Sequence, residues 1–120
     1  MVREYIRSLS IRTPHMEQRV AALSGGNQQK VVIARWLATK PKVLILDEPT
    51  RGIDVGAKAE IAALIDDLRR RGMSLLFISS EVEEVAALCS RVVVLRDRRK
   101  VGELAGGELS VESILARVAG

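Results

Sequence analysis

Leu23-Ser24-Gly25-Gly26-Asn27-Gln28-Gln29-Lys30, followed shortly by Val43-Leu44-Ile45-Leu46-Asp47-Glu48-Pro49-Thr50, is the stretch whose reading decides the fold. The first run sets small, backbone-exposing residues at a helix start. The second is a short aliphatic strand ending in two adjacent carboxylates. Between them Gln29, Val32, Ile33, Trp36 and Leu37 recur at the i, i+3, i+4 spacing of one helix face, and the helix ends before Lys40-Pro41. Val43 to Leu46 is a continuous apolar run, the pattern of a strand buried on both faces of a parallel sheet.

Working outward, Asp54 is placed to cap a helix whose Ile61, Leu64, Ile65 and Leu68 form the buried stripe. Asp66 with Arg70 and Asp67 with Arg71 are i,i+4 pairs on its outer face, and Gly72 is a natural residue to follow its end. Leu75 to Ile78 reads as a second buried strand, Glu81 to Leu88 as a short helix, and Val92 to Leu95 as a third strand. Strand, helix, strand, helix, strand implies parallel pairing with right-handed crossovers, an α/β fold. Val101 to Leu104 can return as a hairpin partner, and Ser110 caps a last helix carrying Val111, Ile114, Leu115 and Val118. Toward the N-terminus, Tyr5, Ile6 and Leu9 form a short helical stripe that Thr13-Pro14-His15 breaks, because a residue before proline avoids the helical region. No second His or suitable Cys stands at metal-ligand spacing from His15, which reads as a loop residue.

The bulk numbers set bounds. At 120 residues the chain is one modest domain in size, and 48% hydrophobic content with 2% aromatic residues calls for an aliphatic core. A formal charge of +4 raises the question of nucleic acid, but the placement of the charge argues against that partner. Arg69-Arg70-Arg71 closes a helix, where cations complement the dipole, and Arg96-Asp97-Arg98-Arg99-Lys100 sits between two apolar runs as a polar hairpin turn. No aromatic residues are interleaved to stack bases. Cys89 has no second cysteine to pair with and reads as a small buried filler, as in a reducing compartment. Nothing at the N-terminus reads as a signal peptide, and no apolar run approaches the ~18 residues a spanning helix needs. Membrane association is therefore expected to be peripheral, through a partner.

Two elements carry chemistry. The first turn of a helix has free N–H groups and a partial positive charge, so Ser24-Gly25-Gly26 at such a start suits an anion, with glycines admitting it to the backbone and Ser24 adding a hydroxyl. A capped helix after a Gly-Gly loop accounts for the same tripeptide. A buried strand delivers Asp47-Glu48 at the carboxyl edge of a parallel sheet, where ligands bind. The first carboxylate can hold Mg²⁺ or its water, and the second can orient or deprotonate an attacking water. A polar strand-to-loop exit is the simpler reading of the pair standing alone.

Taken together, Leu-Ser-Gly-Gly-Asn-Gln-Gln-Lys, a helix, four aliphatics with Asp-Glu-Pro-Thr, and Gly52-Ile53-Asp54 resemble the ATP-binding-cassette (ABC) transporter ATPase family. In that family these are the signature motif, Walker B and the D-loop. Asn27 stands where the commonest form has glutamine; with Gln28-Gln29-Lys30 after it, the motif is similar to that of bacterial monosaccharide importers of the ribose, galactose and xylose kind. The resemblance runs from about Thr13 onward, with residues 1–22 as the tail of the helical subdomain, 23–104 as the distal part of the ATPase core, and 105–120 as a C-terminal helix. It implies that Ser24, Gly25, Gly26, Asn27 and Gln28 serve a γ-phosphate held by an opposing cassette. It also implies Asp47 in the Mg²⁺ shell through water, Glu48 as general base, and Asp54 at the dimer interface. ATP and Mg²⁺ are the implied cofactors.

Two departures from the family matter. Its P-loop, G-x-x-x-x-G-K followed by Ser or Thr, is not found: no glycine here is followed by lysine. After the Leu75–Ile78 strand, Ser79-Ser80-Glu81 stands where the family usually places a histidine that contacts the γ-phosphate; the resemblance implies Ser80 at that cofactor-binding position, without an imidazole to donate or carry charge. Both features resemble the weakened second cassette of a two-cassette sugar importer, and the chain resembles its distal part. The expected fold is thus a partial three-layer P-loop NTPase sheet of parallel strands without the P-loop strand. That strand lies, in the family, between the Leu75–Ile78 and Val92–Leu95 strands, so the chain is expected either to close the slot by direct pairing or to be marginally folded. The expected function is an ATP-binding fragment of an ABC-type sugar import system, inactive alone, at the inner face of the cell membrane with a P-loop-bearing cassette and a transmembrane permease. A non-catalytic module docking on an intact cassette, or a truncated or split reading frame, are the alternatives.

Overall fold

The computed structural model describes residues 1–9 and 11–120, with Ala22 described by its backbone alone. It divides into two compact units, Met1–Leu76 and Phe77–Gly120.

The first unit opens with helix α1 (Val2–Ser8), followed by a 3-10 turn (Val20–Ala22), helix α2 (Gly25–Leu37), strand β1 (Val43–Asp47) and helix α3 (Val55–Arg70). Strand β2 (Ser74–Ile78) crosses the division between units. The expected Tyr5–Ile6–Leu9 stripe is present: Leu9 is buried, and Tyr5 and Ile6 are half-buried. α3 follows the sequence closely. Asp54 accepts from the Ala57 N–H at 2.8 Å, Ile61, Leu64, Ile65 and Leu68 are buried, and Asp66 and Asp67 pair with Arg70 and Arg71 at 3.0 Å each. Its end is a Schellman motif: Gly72 at φ +90° donates to the Arg69 carbonyl, and Met73 donates to that of Leu68. β1 and β2 are neighbours in a two-stranded sheet, and the helical crossover between them sets them parallel.

Two expectations change here. β1 is not buried on both faces: Leu44 and Leu46 are buried, whereas Val43 and Ile45 are 56% and 62% exposed. A continuous aliphatic run records that both faces can be covered, and these residues cover one. The buried face of α2 is also rotated from the expected one. Gly26, Lys30, Ile33 and Ala34 are buried, while Val32 and Trp36 are exposed. The apolar spacing could not anticipate that a glycine and a lysine would define the face against α3.

The second unit contains the end of β2, helix α4 (Val82–Leu88), strands β3 (Arg91–Arg96) and β4 (Arg99–Ala105), a 3-10 turn (Gly106–Glu108) and helix α5 (Val111–Ala119). The hairpin return expected of Val101 to Leu104 is present. β3 pairs antiparallel with β4 from Arg91↔Ala105 to Arg96↔Arg99, and among the described residues β2 and β3 belong to separate two-stranded sheets. The hairpin itself was legible: Asp97 and Arg98 take φ +51° and +65°, the left-handed pair that matches strand twist in a two-residue turn. Val85, Val92, Val94, Leu104 and Ile114 form the core, with Phe77, Cys89 and Leu109 packed against it. Cys89 is half-buried, and that burial pushes its thiol pKa up, in keeping with a packing role. Ser110 accepts from the Ser113 N–H, and Ser113 Oγ accepts from the Ser110 N–H, a reciprocal cap for α5. Of the expected α5 stripe Ile114 is buried, whereas Leu115 and Val118 are exposed.

Candidate functional site

Ser24 is the N-cap of α2. Its Oγ accepts from the Asn27 N–H at 3.3 Å and from Asn27 Nδ2 at 2.8 Å. Ser24 and Gly25 are exposed at the head of this 13-residue helix, where unpaired N–H groups and the helix dipole favour an anion. Gly26, by contrast, is buried, and a Cβ built there would stand 2.6 Å from the Cβ of Ala57 on α3. Close packing of two helices is one reason for a glycine at that position. Phosphate approach is the sequence argument for Gly25 and Gly26 alike.

Asn27 and Gln28 fasten the preceding loop to the helix. Asn27 Oδ1 accepts from the Arg12 backbone N–H at 2.8 Å, and Gln28 Nε2 donates to the Leu23 carbonyl at 2.9 Å. Both side chains are half-buried, so they shape the α2 head from within.

Asp47 and Glu48 leave the end of β1. Asp47 is exposed and Glu48 half-buried, and Glu48 holds φ +48°, a left-handed conformation unusual for a residue other than glycine. Strain of this kind concentrates at functional positions. Pro49 and Thr50, directly behind it, are almost completely buried and anchor the turn. Asp54, the cap of α3, is exposed, with Gly52 at φ +77° providing the bend before it. Ser80 lies in the second unit and is exposed; Ser79 Oγ accepts from the Glu81 N–H at 3.0 Å ahead of α4.

The structure thus brings the heads of α2 and α3 together, with Ser24 and Asp54 as their caps. Sequence reasoning missed Lys30 and Glu60 beneath them. Lys30 is 3% exposed and donates to Glu60 Oε2 at 2.7 Å. This hydrogen bond, with the ammonium's charge behind it, holds the Glu60 carboxyl below the ordinary carboxylate range. A lysine reads as surface in a sequence, and no local signal pairs it with a residue thirty positions on.

Among the described residues, no cluster of three or more His, Cys, Asp and Glu could hold a metal ion. Mg²⁺ is commonly held by one or two carboxylates with waters and nucleotide phosphates rather than by a cage of protein ligands. The exposed carboxylate of Asp47 suits that outer role. No helix among the described residues is long and apolar enough to cross a membrane.

The fold that carries this helix head and carboxylate-ended strand is that of ABC ATPase cassettes. Comparison with known proteins agrees: the family described as ABC transporter matches residues 2–51, and the chain belongs to the ABC transporter ATPase family. More particularly, it is 56% identical over 115 residues to the galactofuranose transporter ATP-binding protein YtfR of Escherichia coli K12, across 96% of this chain and 23% of that protein. It is 48% identical over 120 residues to ribose import ATP-binding protein RbsA 1 of Rhizobium meliloti, covering 24% of it. The chain therefore spans about a quarter of the length of these curated relatives. Among solved structures, the ADP conformation of an ATP-binding cassette of an ABC transporter superposes with a TM-score of 0.82 at 26% identity, covering 97% of this chain and 46% of that one. A dimeric cassette in a post-hydrolysis state bound to ADP and Pi superposes at 0.73 with 25% identity, covering 85% and 44%.

Proposed function

We propose that this chain contributes half of an ATP site to an ABC-type sugar import system. Ser24 and Gly25, at the head of α2, meet the γ-phosphate of an ATP that a P-loop-bearing cassette holds. Gly26, Asn27 and Gln28 shape that head. Asp47 holds Mg²⁺ through water, and Glu48 orients and deprotonates the water that attacks the γ-phosphorus. Asp54 meets the opposing cassette, and Ser80 takes the place of a phosphate-contacting histidine, without an imidazole to carry charge. In this reading residues 1–22 are the tail of a helical subdomain, 23–104 the distal ATPase core, and 105–120 a C-terminal helix. The assembly sits at the inner face of the membrane through a permease.

The observation that carries the reading is the exposed Ser24–Gly25 head of α2 lying beside the α3 head that Asp54 caps. Its kinship with importer ATPases supports sugar uptake. Without a P-loop in these residues, the β- and γ-phosphates lack their main cradle, so the chain alone is inactive. The test is addition of this chain to an intact P-loop-bearing cassette with Mg-ATP. A gain in hydrolysis that Ser24→Arg abolishes supports the reading; a gain indifferent to Ser24→Arg refutes it.

A further inference from the structure

The heads of α2 and α3 advance in step. Gly25 stands against Ile53 just before α3, Gly26 against Ala57, and one turn further on Lys30 against Glu60. Positions that match in the same order along both helices mean that their N-terminal turns run in the same sense. Parallel dipoles at such a distance repel, so the arrangement needs something to hold it.

A continuous set of polar contacts does so. Lys30 donates to Glu60 at 2.7 Å, and Arg12 Nη2 lies 3.5 Å from the same carboxylate. The backbone N–H of Arg12 donates to Asn27 Oδ1, and Asn27 Nδ2 donates to Ser24 Oγ. The path therefore ends on the serine that caps α2. A lysine ammonium is removed from water only where it is paired, and Lys30 is buried while Glu60 stays 44% exposed. Such a pair often adds little to stability compared with apolar packing, and in some proteins its use is to specify one relative placement of the elements it joins.

We propose that Lys30 and Glu60 are positioning residues that fix the register of the α2 head against the α3 head, so that Ser24, Gly25 and Asp54 meet a partner as one unit. This rests on the reading that Ser24 and Gly25 face a γ-phosphate. Glycine at 26 lets the helices touch, and the ion pair one turn below prevents them from sliding. A reacting group misplaced by ~1 Å loses on the order of 10²-fold in rate, so loss of the pair acts on turnover before it acts on folding.

The test uses the full chain with an intact P-loop-bearing cassette and Mg-ATP, and nuclear magnetic resonance on the chain itself. Lys30→Met is expected to lower the kcat of the added hydrolysis by roughly 10- to 100-fold with KM for ATP nearly constant, and Lys30→Arg to restore it. The nuclear Overhauser contact between Gly26 Hα and the Ala57 methyl is expected to weaken in Lys30→Met and to persist in Lys30→Arg. Should Lys30→Met not fold, Glu60→Gln carries the same two readouts. Retention of both kcat and the Gly26–Ala57 contact overturns the proposal. Ser24→Arg is measured in parallel. If it leaves the gain intact, or if there is no gain, the phosphate reading fails and the Overhauser contact alone decides the positioning. If Ser24→Arg removes the gain while Lys30→Met does not, the positioning proposal alone falls.

Discussion

Gly26→Ala puts the packing of α2 on α3 to a quantitative test. The new Cβ would lie 2.6 Å from the Ala57 Cβ, against an ordinary carbon–carbon separation of about 3.5–4.0 Å. The obstacle is a methyl fixed to a helix backbone, so one helix must retreat by about 1 Å, and overpacking of this kind costs roughly 1–3 kcal/mol. Replacing glycine by alanine in a helix recovers at most about 1 kcal/mol, and less in a first turn. The expected balance is a loss of about 1–2 kcal/mol. Exchanging the pair, Gly26→Ala with Ala57→Gly, places the new methyl 3.6 Å from the Ala57 Cα, an ordinary contact. Urea unfolding of the wild type, both single variants and the double variant gives the coupling, read as midpoint shifts at constant slope. The reasoning predicts that Ala57→Gly rescues Gly26→Ala by about 1–3 kcal/mol relative to additivity. Additive effects, or a Gly26→Ala chain more stable than wild type, would refute it.

Other expectations are simpler. Asp54→Ala removes the cap of α3 and should cost about 1 kcal/mol in urea unfolding, with Asp54→Asn retaining most of it. Ile61→Ala empties a fully buried position and should cost about 2–5 kcal/mol. Glu60 titrates below its ordinary value of 4.5 in the folded chain, so its stabilisation is present above that pH and disappears as pH falls through the lower folded value. Thermal melts from pH 6 to pH 3 (an acid range set by that carboxylate) should therefore show a steeper decline for wild type than for Glu60→Gln; equal slopes would contradict the pairing.

How far the sequence foretold this molecule depended on how local each signal was. α3 was legible from cap to Schellman end because Asp54, the Ile61–Leu68 stripe and Gly72 act within a few residues of one another. The Asp97–Arg98 hairpin and the Ser110 cap were legible for the same reason. The family was legible because Leu23–Lys30 and Val43–Thr50 occur together in order. The return of Val101–Leu104 beside β3 was legible because only a short polar run separates the two aliphatic segments. The α2 face was misjudged because its buried members include Gly26 and Lys30, which tertiary contacts with Ala57 and Glu60 place inside. At the site, the sequence named Ser24, Asp47, Glu48 and Asp54 and gave their elements. It gave Gly26 a phosphate-facing role, to which the structure adds a close helix contact at Ala57. The left-handed backbone of Glu48 had no sequence signal, since glycine is the residue that announces such a conformation.

The central claim is that these 120 residues hold groups that act on a phosphate which another segment must cradle. Mg-ATP hydrolysis by the purified chain alone tests this most directly. No turnover above the protein-free background is expected, and no change on Glu48→Gln. Turnover by the wild-type chain that disappears with Glu48→Gln would contradict it.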